Sequence, residues 1–285
     1  SGGVLSLDSL KVATIGTGLF TQTGGVVNIT SASTLLIGES AGSKGTYVMS
    51  AGDINSSVSD ISIGLAGTGV LLQSGGDITL TGNHDIFVGD GVTGDGEYRL
   101  NEDNATATVA ARYLHVGRTG EGLYVQTAGD VSLSQLRVGT QATATGTALI
   151  SGGVLNQSSS MVVGWFGDGY MEYTGGEVNV GLNLHVGYQQ DGTGELIVTG
   201  TTLDVAGSLR VGDAGDGAGI VRQTGGVVNI NNAGDSSAIL GNAADAVGSY
   251  LLDGGVLTVD GGMQVGDAGM GYVEVTNGGS VTVDG

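Results

Sequence analysis

Any chemistry in this chain has to come from few side chains: 28 acidic residues, eight basic ones, three histidines and no cysteine. The acidic residues offer the most regular pattern. Asp90 and Asp95 lie in Gly89-Asp90-Gly91 and Gly94-Asp95-Gly96, Asp168 in Gly167-Asp168-Gly169, Asp213 and Asp216 in the stretch after Gly212, and Asp267 follows Gly266. Carboxylates stacked along one edge would suit Ca²⁺, a hard cation that takes several oxygen ligands. Asp-Gly is also an ordinary turn pair, so the sequence requires no cofactor, and calcium is the metal these loops would take. Without cysteine there is neither a disulfide framework nor a thiolate metal site.

General acid–base chemistry needs two groups facing one substrate. Glu172 and Glu195 fall in adjacent repeats and make the best such pair. Arg137 and Arg210, like His115 and His185, hold equivalent positions three repeats apart, too far for either histidine pair or arginine pair to share one ligand atom. His84 completes the histidines, and all three are expected as surface residues. A solvated face is the plain reading of each set, so the chain is not expected to be an enzyme. A binding face would draw on Phe87, Trp165, Phe166 and Tyr188.

The formal charge is −20. Such a chain is repelled by nucleic acid and by anionic membranes, and favours divalent cations or basic partners. No run of 18 apolar residues is present to insert in a bilayer as a helix.

The elements that would position these residues repeat. A motif Φ-x-Φ-Gly recurs eleven times, at Gly16, Gly38, Gly64, Gly89, Gly117, Gly139, Gly164, Gly187, Gly212, Gly241 and Gly266, with gaps of 22 to 29 residues. A fixed period in this range marks one unit stacked on itself. Both Φ columns are apolar in every copy, while the position between them varies through Ser62, Phe87, His115 and Arg137. That is a strand with one face buried. A second strand follows a glycine such as Gly69 or Gly122, with Leu71 and Tyr124 as its inward residues. A third follows a Gly-Gly or Ala-Gly corner, as in Gly76-Asp77-Ile78-Thr79-Leu80. Such corners demand positive φ or close backbone approach, which glycine supplies. Gln22, Gln73, Gln126 and Gln223 stand at inward positions, where their amides would brace a corner, and Asn residues of the third strand would form axial ladders.

The expected fold is therefore all-β: a single-stranded parallel β-helix, or β-solenoid, with three short strands per coil, about 25 residues per coil and about 11 coils. The crossover rule favours right-handed winding. Residues 1–285 read as one continuous domain, with an irregular coil around 97–113, where 101–106 replace the usual corner with a longer loop.

The consensus V-G-x-x-G-x-G-x-Y-x-Q-T-G-G-x-V-N-V has good copies at 15–29, 116–133, 163–180 and 211–230. It resembles the repeats of large bacterial surface and secreted proteins, both autotransporter-type passenger domains and the repeat arrays of exoproteins that carry sorting signals. The resemblance implies export, an extracellular or cell-surface location, and a structural or adhesive role. Both ends of the chain are third-strand copies in the same phase, so the solenoid is expected to continue or to stack head to tail, as heterologous contacts that build filaments do. The first functional expectation is a fibre, stalk or surface layer whose partner is itself. The second is an adhesin or glycan-binding passenger using a groove or the 101–112 loop. A polysaccharide-degrading enzyme comes third.

Overall fold

Each coil is built from short strands that cannot bury their own apolar face, so every coil depends on the next. In the computed structural model, which describes residues 2–32, 34–100 and 107–284, the coil around Gly64 has strands Ile61–Ile63, Thr68–Gln73 and Asp77–Leu80. Each pairs in parallel with its counterpart one coil on: Ile61 with Ile86, Thr68 with Asp95, Asp77 with Thr108. Parallel pairing carries from Val4 to Val283, with register shifts between Gln22 and Val26 and between Ile230 and Ala238, and 28 strands form one wound sheet with no helix among the described residues. The chain is an all-β parallel β-solenoid of about 11 coils, as the repeat predicts.

Its core is the stack of inward columns. Ile61, Ile63, Ile86, Val88, Leu114 and Val116 are at most 1% exposed, and so are Tyr47, Tyr98, Tyr124 and Tyr250 of the second strand. Two glycines per coil permit this packing. The one that closes the first strand sits at positive φ, +71° for Gly64. The one that opens the second strand has no room for a side chain: a Cβ on Gly69 would lie 2.2 Å from the Gly64 nitrogen.

The first coil departs from the sequence reading. Its strand is Lys11–Val12, paired with Leu36 and Ile37. Ile15, expected to point inward, is 86% exposed. The residue that closes this strand is Ala13, at φ 63°, and its carbonyl receives the Glu39 N–H in the position that Gly38 takes for Leu65. Gly16 is thus not a marker glycine. Leu10-Lys11-Val12 alternates as well as Ala13-Thr14-Ile15 does, and glycine outbids alanine as a signal for positive φ.

With Ala13 in place, a second period emerges. Number the coils 1 to 11 from Ala13 to Gly266. The second-strand glycine follows the marker by five residues in coils 1, 3, 5, 7 and 11 and by seven in coils 2, 4, 6, 8, 9 and 10. Inward polar residues alternate with coil parity through coil 10, including coil 9, where the spacing is seven. Gln22, Gln73, Gln126, Tyr173 and Gln223 belong to odd coils, while Met49, Leu100, Ile150, Val198 and Leu252 fill the same column in even ones. Each odd-coil glutamine donates its two amide hydrogens to a carbonyl at its own corner and to a third-strand carbonyl of the even coil above, and the single Tyr173 hydroxyl hydrogen is shared between the equivalent pair. Gln73 Nε2 lies 2.8 Å from Gly76 O and 3.2 Å from Thr108 O, and Tyr173 Oη lies 2.8 Å from Gly176 O and 2.9 Å from Thr202 O. The expected corner braces exist, and each also links two coils.

The loop expected at 101–106 lies outside the described residues. Residues 108–112, counted above as part of that loop, are strand instead: Thr108–Val116 pairs first with Asp77–Thr79 and then with Ile86–Val88. The Asn ladder forms in short runs, with Asn179 Nδ2 donating to Asn156 Oδ1 at 2.9 Å and Asn229 Nδ2 to Asp204 Oδ1 at 2.7 Å.

Candidate binding face

The outward side of the first strands gathers the chain's chemistry. Parallel pairing aligns Phe87, His115, Arg137, Val162, His185 and Arg210 in one column, one coil apart. A second column is formed by the residue after each marker glycine: Asp90, Arg118, Thr140, Trp165, Tyr188 and Asp213. Each donates its N–H to the marker carbonyl of the coil before, as Trp165 does to Gly139 at 2.9 Å and Tyr188 to Gly164 at 2.8 Å. The side chains of both columns therefore stand about 4.8 Å apart along the axis, close enough for rings to touch.

They do touch. The rings of Phe87 and His115 are 5.0 Å apart, those of Tyr113 and His115 5.9 Å, those of Trp165 and Tyr188 5.5 Å, and those of Tyr188 and His185 4.3 Å. Phe166 stacks beside Trp165 at 6.3 Å. Arg137 joins the two halves: its guanidinium carbon lies 4.0 Å from the Tyr113 ring centre and 4.3 Å from that of Trp165. The four aromatics named from sequence thus share one face, and Tyr113, not singled out there, completes it.

Carboxylates fix the other cations of this face. Asp85 receives Arg112 in a two-pronged pair, 2.7 and 2.5 Å, with His115 Nε2 3.8 Å away. Asp90 accepts from Arg118 at 2.5 Å and from Ser62 at 2.9 Å. Asp213 accepts from Asn242 at 2.7 Å, lies 2.7 Å from His185 Nδ1, and faces Arg210 at 3.3 Å. Burial alone would raise the Asp85 and Asp213 carboxyls. Arg112 and His115 outweigh it for Asp85, and His185, Arg210 and Asn242 for Asp213, so both are held below the usual carboxylate range. For His115 burial wins, and its pKa is lowered despite Asp85.

His115 and His185 are therefore not surface residues, being 5% and 8% exposed. They point away from the core, but the ring of Tyr188 and the neighbouring Phe87 and Tyr113 rings cover them. His84 is partly buried and lies 3.2 Å from Asp60 through Nδ1.

The six aspartates proposed for calcium fall in different settings. Asp90 and Asp213 are buried beside cations, Asp168 accepts from the Thr193 hydroxyl, Asp216 accepts from the Asp191 N–H at 2.7 Å, and Asp95 and Asp267 are exposed. Among the described residues, no three His, Asp or Glu side chains converge as a metal-holding group. Glu172 and Glu195 are engaged separately, by the Tyr170 hydroxyl at 3.3 Å and by Arg222 at 2.7 Å. A shallow depression of about 290 Å³ near them is lined by Asp168, Tyr170, Thr193 and Glu195, and not by Glu172.

The ion pairs of the face had one legible sign: Asp90 and Arg118 occupy the same column in adjacent coils. The Asp85–Arg112 pair had none, because its partners sit at different distances from their markers. No protein-family model, curated protein or solved structure matches this chain.

Proposed function

We propose that this chain is a structural β-solenoid of the bacterial surface or secreted type, a rigid rod that forms or belongs to an extracellular fibre, stalk or surface layer. The observation that supports it most is the unbroken wound parallel sheet from Val4 to Val283, about 11 stacked coils around one continuous apolar core with no helix among the described residues. Such a stack is a rod whose stability comes from neighbour contacts repeated along its axis. Calcium, where it takes part, would use the exposed Asp95, Asp168, Asp216 and Asp267 rather than the neutralised Asp90 and Asp213.

Electron microscopy with subunit mass determination tests this reading. Filaments with a regular axial repeat are expected. Dispersed single rods at every concentration would remove self-assembly. The adhesive, glycan-contacting reading is second, and the aromatic and arginine face favours it.

A further inference from the structure

Arg137 differs from every other cation on its face. Four of the six arginines, Arg112, Arg118, Arg137 and Arg210, stand there, on a chain that is otherwise strongly acidic. Three of them have an aspartate: Asp85, Asp90 and Asp213. Arg137 makes no ion pair among the described residues. Its Nε donates to Gln135 Oε1 at 2.7 Å, which orients the planar group, and the rings of Tyr113 and Trp165 hold it. Burial lowers its pKa from the usual value, so the charged form carries a desolvation cost that an incoming anion would offset.

We infer that the Tyr113–Arg137–Trp165 cluster is a binding subsite for a carboxylated glycan, a uronate-bearing chain laid along the rod axis. Three features select this ligand. A fixed guanidinium matches a carboxylate through two parallel hydrogen bonds, with a geometry that lysine lacks. Flanking rings offer apolar faces to the C–H surfaces of a sugar while their polar edges stay wet. The face runs along the axis over five coils, from Phe87 to Tyr188, which suits an extended chain better than a compact partner.

Trp165 is the only tryptophan, so its fluorescence reports this subsite alone. The experiment titrates the whole chain with oligogalacturonate, with the same oligomer after reduction of its carboxyl groups, and with poly-glutamate. Oligogalacturonate should change the Trp165 emission saturably; the reduced oligomer should bind at least about 10-fold more weakly, the worth of one charge-assisted hydrogen bond, and poly-glutamate, which keeps the carboxylates but lays no sugar face on the rings, should also bind more weakly. Arg137→Gln should lose a similar factor, and Arg137→Lys, which keeps charge and stem, should recover only part of it. Arg222→Gln, outside the face, should bind as the parent does. Equal binding of the reduced oligomer would overturn the role of the carboxylate. Equal binding of poly-glutamate would overturn the role of the sugar, and no response to oligogalacturonate would overturn the subsite. These comparisons on the parent chain stand even where an Arg137 variant folds poorly.

Discussion

At the scale of single residues, the inward amides carry more than their own corner. Gln73 is fully buried, and its Oε1 accepts from the Tyr98 hydroxyl of the next coil at 2.6 Å. The same link joins Gln22 to Tyr47 and Gln223 to Tyr250. Tyr98→Phe removes the donor and leaves a buried acceptor, which should cost about 1–3 kcal/mol in urea unfolding. A loss below about 0.5 kcal/mol would mean that Gln73 finds another partner. That these glutamines brace corners was legible, because an amide in an apolar column needs a reason to be there. That Ala13 closes the first strand was less so. The spacing of five to Gly18, shared with Gly64 and Gly69, is the signal that identifies it.

At the scale of the strand, tight glycines decide whether coils can stack. A Cβ on Gly96 would meet the Gly89 nitrogen at 2.2 Å and the Ile63 carbonyl oxygen at 2.3 Å, both backbone atoms that side-chain rotation cannot move. Gly96→Ala should destabilise the solenoid by more than about 3 kcal/mol, the range of overpacking and backbone strain together. Gly3→Ala, with open space around it, should stay within about 1 kcal/mol. Thermal and urea melts of the two variants compare them directly. Strand faces were readable from alternation, so the inward columns came out nearly complete. The burial of His115 and His185 was not readable, because alternation tells which way a side chain points and not how tall its neighbours are. Arginine and aromatic residues from adjacent coils roof over an outward column, and that depends on register between coils.

At the scale of the whole molecule, the buried ion pairs set a response to acid. His115 has a lowered pKa in the fold, so between about 6.5, the unfolded value, and its folded value the unfolded chain binds more protons. Stability therefore falls as pH drops below about 6.5. Asp85 and Asp213 are also lowered, so their contribution is present above about 3.9 and is lost as pH falls through their folded values. The melting temperature should decline in two stages on acidification, and His115→Gln should flatten the first. An unchanged slope in that variant would locate the first stage elsewhere.

The alternation of polar and apolar coils has a mechanical meaning. Donors cross the boundary from each odd coil to the even coil above it, at Gln22, Gln73, Gln126, Tyr173 and Gln223. The boundary from even to odd is filled at the same column by Met49, Leu100, Ile150, Val198 and Leu252. Ion pairs cross several even-to-odd boundaries on the outside instead, as Arg112 to Asp85 and Arg222 to Glu195 do, so inner and outer bonding take turns along the rod. One pair of coils, Ala13 to Gly64, is 64 − 13 = 51 residues. Drawn out fully, it lengthens the tether by about 160 Å, against about 10 Å while coiled.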